Sequence, residues 1–229
     1  TLIAHEVGIM SEEKPVQFYK SLLNFNTGLK IDDTPITLDK IGVFDIETNG
    51  KDVLVGMYDI EGYHYGKSLF DLIKRSRKIM YYYGEYDLPV LLIRAGYQPQ
   101  SGKFMGMDAK TYWTPFGQIE KRKTSYKLNG GKNIKFINLL MFYSTSLYDA
   151  YKTYRPLICE KIKNAPLKTL QALCFDDKTM KEWHEDKGKR SDFQNVNVFS
   201  SEIKHYNMLD VMATYGLVLI LPDLYEDPL

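Results

Sequence analysis

Asp45 and Glu47 stand two positions apart in the run Ile41-Gly-Val-Phe-Asp-Ile-Glu-Thr48, whose β-branched and aromatic residues predict a strand. On a strand that spacing turns both carboxylates to one face, while Phe44 and Ile46 point the other way, into a core. Two carboxylates side by side on a buried strand repel each other and lose hydration, a cost that a divalent cation offsets. Hard oxygen donors of this kind suit Mg²⁺ or Mn²⁺ better than zinc. Taken alone, the pair also fits an ordinary surface strand.

Asp87 offers a third carboxylate at the head of a predicted helix, soon after a strand and Gly84. By itself it reads equally as a helix N-cap. Tyr206 and Asp210 are four apart on the last predicted helix and so share a face. Alone they describe a packed tyrosine and a solvated aspartate. Only the order of these residues, together with the elements that carry them, points to chemistry.

After the first strand, Asn49-Gly50 is a strong hairpin-turn signal. A second strand is predicted over 52–60 and a third near 63–65. A helix follows over 68–78, then a buried strand over 79–83 stopped by Gly84, then an apolar helix over 87–95 closed by Gly96. Residues 103–128, rich in Tyr, Thr, Phe and Lys, suggest a β-rich insertion. Another buried strand is expected over 134–142, helices over 146–154 and 167–173, and a final helix over 200–218. The charged stretch 176–192 reads as a surface excursion. Strands alternating with helices in this way imply an α/β sheet whose first strands are antiparallel. The first forty residues hold one predicted helix, 13–25, and form a lead-in segment over 1–38. The remaining residues, 39–229, form the main domain, with the insertion at about 100–132.

Three stretches, in order, resemble the motifs of the DEDD exonucleases of the tyrosine type, and within them the proofreading domain of family B DNA polymerases. Phe44-Asp45-Ile46-Glu47-Thr48 resembles the first motif. Tyr86-Asp87-Leu88-Pro89-Val90-Leu91-Leu92-Ile93-Arg94-Ala95 is similar to the second, and Tyr206-Asn-Met-Leu-Asp210 to the third. The resemblance implies an RNase H-like mixed sheet flanked by helices and a 3′–5′ exonuclease working with two divalent cations, Mg²⁺ or Mn²⁺. It implies Asp45, Glu47, Asp87 and Asp210 as metal ligands, with Asp45 bridging and Asp87 acting on the second cation. Tyr206 would orient the attacking water, and the products would be nucleoside 5′-monophosphates.

The second motif departs from the family where an Asn usually precedes its Asp; Tyr81, Tyr82 and Tyr83 occupy that region. A tyrosine there, Tyr83, offers a stacking surface for a base or else fills core. Thr48, closing the first motif, is a further candidate substrate contact. In the third motif His205 is a rival to Tyr206, although it lies five residues from Asp210 and is turned off its face. Pro166-Leu-Lys168-Thr-Leu-Gln-Ala resembles a lysine-bearing motif of protein-primed family members and makes Lys168 a candidate phosphate contact. Basic clusters at Lys74-Arg75, Arg77-Lys78, Lys121-Arg122-Lys123 and Lys187-Gly-Lys189-Arg190 could follow a phosphate backbone or be solvated faces. Trp113 and Phe116 beside the third of these favour an unpaired strand.

The 229 residues, 44% hydrophobic and 26% charged, suit a globular protein with a sizeable core. A net charge of +1 excludes a globally basic nucleic-acid coat, so binding would rest on local patches. Cys159 and Cys174 show no CxxC spacing, so neither a disulfide framework nor a zinc site is expected, and a reducing, intracellular location (cytoplasm, nucleoid or nucleus) follows. The longest apolar run, 217–221, is too short to span a bilayer, and no membrane partner is expected. The expected substrate is single-stranded or frayed DNA, with an RNA-trimming nuclease or a catalytically weak nucleic-acid-binding module as alternatives. No polymerase motif follows Asp210, so the chain is expected to be a stand-alone exonuclease or a domain excised from a longer polymerase, with a polymerase module as a candidate partner.

Overall fold

The computed structural model describes residues 30–31, 34–35, 37–49, 51–72, 79–84, 86–94, 111–114, 117–122, 125–129, 135–188 and 196–224. The helix expected over 13–25, the clusters at Lys74-Arg75 and Arg77-Lys78, and Phe116 lie outside the described residues.

The main sheet begins with β1 (Ile41–Thr48), β2 (Val53–Asp59) and β3 (Gly62–Gly66), an antiparallel meander. Helix α1 (Leu69–Leu72) precedes β4 (Ile79–Tyr82), which pairs in parallel with β1. Helix α2 (Asp87–Arg94) follows. Three antiparallel strands, β5 (Thr111–Thr114), β6 (Gly117–Arg122) and β7 (Ser125–Asn129), lead to β8 (Lys135–Asn138), which runs parallel to β4. In space the order is β3-β2-β1-β4-β8-β7-β6-β5. The chain closes with helices α3 (Leu140–Tyr143), α4 (Leu147–Ile162), α5 (Lys168–Gln171), α6 (Asp177–Gly188) and α7 (Ser201–Leu224). This mixed, helix-flanked sheet is the α/β, RNase H-like architecture.

Two cores lie on opposite faces of the sheet, and strand alternation assigns residues to them. Ile41 and Val43 of β1, Tyr81 of β4 and Ile137 of β8 join the cluster formed by α4 and α7. Phe44, Ile46, Met80, Tyr82 and Phe136 join the other, with Leu88, Val90 and Leu91 of α2. Phe44 anchors that second core, its ring stacked on Tyr82 at 5.3 Å and edge-on to Phe136 at 6.1 Å. Because both faces of β1 are covered, the strand is buried from Ile41 to Glu47. The side chains of Asp45 and Glu47 continue the row begun by Ile41 and Val43, which aims them at the α7 side.

Several elements differ from the sequence reading. The strand expected over 134–142 ends at Asn138, and Leu140–Tyr143 is helical. The helix expected over 146–154 runs to Ile162 with Pro156 inside it. A proline removes one helix hydrogen bond, but burial of Ile158 and Ile162 against the core overrides that local cost. Helix α5 is a single turn rather than the seven residues expected over 167–173. Helix α7 extends past 218 to Leu224. By length and composition α7 is apolar enough to cross a membrane. In this fold, however, it is a core helix, buried almost continuously from Leu209 to Leu221.

The expectation of unpaired cysteines is corrected. Cys159 of α4 and Cys174, just beyond α5, form a disulfide with a Cα–Cα distance of 4.9 Å. No spacing motif signals it, because the pairing arises from the turn that folds α5 back onto α4. The bond closes a loop with a sequence separation of 15, for which chain entropy gives roughly 3 kcal/mol of stabilisation. Thermal unfolding with and without reductant should show this as a melting temperature lower by several degrees in the reduced protein. A double Cys159→Ser, Cys174→Ser variant should match the reduced form. An identical melting temperature in all three would contradict a stabilising bond.

Candidate active site

The carboxylates of Asp45, Glu47 and Asp210 come together with ligand oxygens all within 4.8 Å of one another. Asp45 is 9% exposed, Glu47 7% and Asp210 3%, so most of their hydration is lost on folding. β1 supplies two of them by its period of two. α7 supplies the third because it packs over β1 and β2. Crowded, buried and anionic, the three oxygen donors could hold a metal ion, which would lower their mutual repulsion and take the place of lost water.

Asp87, also buried, is the first residue of α2 and does not belong to that close group. The turn leading to it is fixed from β8. Asn138 Oδ1 accepts the backbone N–H groups of Gly84 and Leu140, each at 3.1 Å. Gly84 takes a φ of 136°, which suits glycine, and the chain then enters the helix at Asp87.

Tyr206 is 1% exposed and sits one helical turn before Asp210, whereas His205 is exposed. The Thr48 hydroxyl donates to the Asp52 carbonyl at 3.0 Å, closing the β1–β2 turn. Half-buried Tyr83 donates to the Thr145 carbonyl at 2.8 Å and stacks on Tyr143 at 6.4 Å. Lys168 opens α5 and is exposed. Among the basic clusters, Lys121 and Arg122 lie on β6 and Lys187 on α6, while Lys123, Lys189 and Arg190 lie outside the described residues.

Two neutral donors that the sequence reading did not single out hold the carboxylates. Asn207, fully buried beside Tyr206, donates from Nδ2 to Asp45 Oδ2 at 2.9 Å. Its Oδ1 accepts the Tyr63 hydroxyl of β3 at 2.9 Å, which fixes the orientation of the amide. Burial, followed by the Asp45 and Glu47 charges, pushes the Tyr63 phenol well above its ordinary value, so it stays protonated and donates. Room for this bridge comes from Gly56, which pairs with Asp45 across β1 and β2. A Cβ at Gly56 would lie 1.6 Å from Asn207 Oδ1. Asn207 precedes Asp210 by three positions, so helix spacing alone could have placed it on the same face.

The second donor corrects the view of 176–192 as a surface excursion. Within it α6 buries Trp183 completely, and the indole N–H donates to Asp210 Oδ1 at 2.6 Å. Elsewhere, a second trio, Asp59, Glu61 and His64, clusters at the β2–β3 turn. There Asp59 accepts the Glu61 amide at 2.7 Å, a turn-closing role.

No family model matches the chain, and no solved structure matches it either. A DNA polymerase of Acidianus bottle-shaped virus (isolate Italy/Pozzuoli) is 38% identical over 201 residues, covering 81% of this chain and 29% of the viral protein. The chain thus spans less than a third of the relative's length. Over most of its own length it is related to part of a viral DNA polymerase.

Proposed function

We propose that the chain is a metal-dependent 3′–5′ exonuclease domain that releases nucleoside 5′-monophosphates from single-stranded or frayed DNA ends. The observation that carries this reading is the meeting of Asp45, Glu47 and Asp210 within 4.8 Å across β1 and α7. Similarity to part of a viral DNA polymerase supports a DNA substrate and a place beside, or within, a polymerase.

Asp45, Glu47 and Asp210 would hold the divalent cations, Mg²⁺ or Mn²⁺, with Asp87 contributing from the head of α2. Bound there, the cations would activate a water and stabilise the departing 3′ oxygen. Asn207 holds Asp45 by a neutral hydrogen bond, a preorganisation that would lower the cost of assembling the site. Tyr206, one turn from Asp210, would hydrogen-bond the attacking water and align it with the scissile phosphate. Thr48, Tyr83 and Lys168 are the proposed substrate contacts. Of these, Tyr83 would offer its ring rather than its hydroxyl, which is engaged by Thr145.

Matched DNA and RNA oligonucleotides incubated with Mg²⁺ or Mn²⁺ test the proposal. Shortening of DNA that stops when the metal is chelated supports it, and preferential shortening of RNA would assign the RNA-trimming alternative. Binding without any metal-dependent shortening would assign a binding module and overturn the proposal.

A further inference from the structure

Helix α6 is polar almost throughout. Lys178, Lys181, Glu182 and Glu185 are exposed and pair at i,i+4 spacing, Lys178 with Glu182 and Lys181 with Glu185. Such a helix has no need of a tryptophan for solubility or for helix propensity. Trp183 is nevertheless fully buried, and a buried indole N–H requires an acceptor. The acceptor is not a backbone carbonyl or a neutral side chain but Oδ1 of Asp210, at 2.6 Å.

The surroundings hold the indole in that position. Tyr148 lies 5.2 Å from its ring, and Tyr151 and Phe175 meet it edge-on at 5.6 and 5.7 Å. The start of α6 is in turn tied to α4. Arg155 pairs with Asp177 at 2.8 Å, the Tyr151 hydroxyl accepts the Phe175 N–H at 3.0 Å, and the Cys159–Cys174 disulfide anchors the chain just before Phe175. Helix α6 is therefore a brace whose Trp183 meets one of the clustered carboxylates.

We infer that Trp183 is a positioning residue of the metal site, orienting Asp210 so that its second oxygen faces the cation shared with Asp45 and Glu47. A neutral donor suits this task. It fixes one carboxylate oxygen by a hydrogen bond while leaving the negative charge in place, whereas a lysine or arginine would compete with the cation for that charge. The inference rests on the metal-site reading of the three carboxylates.

The test is Mg²⁺ and Mn²⁺ binding by titration calorimetry on the full chain, wild type against Trp183→Phe, with thermal unfolding in chelator as the measure of fold. Loss of the N–H should weaken metal binding roughly tenfold to hundredfold, while the chelated variant still unfolds cooperatively. In parallel, Trp113→Phe leaves Trp183 as the single tryptophan of the two, in place even if Trp183→Phe fails to fold. Its emission should shift with Mg²⁺ and saturate in step with the calorimetric binding. Wild-type metal affinity in Trp183→Phe, or a Trp183 emission indifferent to saturating Mg²⁺, overturns the inference. Absence of metal binding in the wild type instead overturns the metal-site reading itself, and the inference with it.

Discussion

Asp45→Asn should abolish DNA shortening, by about a thousandfold or more, and at the same time leave the metal-free protein as stable as the wild type or more so. The first half follows from the several kcal/mol that cation-assisted charge stabilisation contributes to such reactions, at about 1.4 kcal/mol per tenfold in rate. The second half follows from crowding. Asp45, Glu47 and Asp210 hold their oxygens within 4.8 Å, and removing one charge from that group relieves repulsion. Asparagine is the informative replacement because its side-chain oxygen can still accept the Asn207 Nδ2 hydrogen bond made by Asp45. Steady-state cleavage and thermal unfolding in chelator measure the two halves. A variant that loses activity and chelator stability together would give Asp45 a structural role, and one that keeps wild-type activity would remove it from the site.

Gly56→Ala should damage both the fold and the metal site, although the residue carries no functional group. The new methyl would fall 1.6 Å from Asn207 Oδ1 and 2.6 Å from its Cγ, closer than packed atoms approach. Asn207 must swing away, and with it go the bond to Asp45 and the acceptor of Tyr63. Overpacking costs about 1–3 kcal/mol, and loss of the hold on Asp45 weakens metal binding roughly tenfold to hundredfold. The signature lies in the double variant Gly56→Ala, Asn207→Ala. Removing the Asn207 side chain takes away the clashing atoms, so the double variant should unfold at a higher temperature than Gly56→Ala alone. Its metal binding should remain weak. Additive losses of stability would show that the two residues do not share this space.

Local periodicity made a definite part of this site legible. The alternation in Ile41-Gly-Val-Phe-Asp-Ile-Glu put Asp45 and Glu47 opposite Phe44 and Ile46, and the two cores divide Phe44 and Ile46 from Ile41 and Val43 along that line. Helix spacing likewise put Tyr206 and Asp210 on one face and His205 off it, and of the two candidates only Tyr206 is buried. What stayed hidden depends on contacts between residues distant in sequence. Asn207 reaches Asp45 across 162 positions, through a gap visible only once Gly56 is paired with Asp45. Trp183 sits in a charged stretch whose composition speaks for solvent, and only the fold brings its N–H to Asp210. The Cys159–Cys174 bond and the helix running through Pro156 have the same origin, since tertiary packing outweighs the local signal in both.

A cation-dependent nuclease that begins at the 3′ end makes a definite prediction for one single-stranded DNA labelled in turn at its 5′ and its 3′ end and digested with Mg²⁺ or Mn²⁺ present and then chelated. The expected result is a descending ladder from the 5′-labelled strand, early release of a labelled mononucleotide from the 3′-labelled strand, and neither product in chelator or with Asp45→Asn. A ladder from the 3′-labelled strand, internal cuts, or shortening that persists in chelator would contradict it.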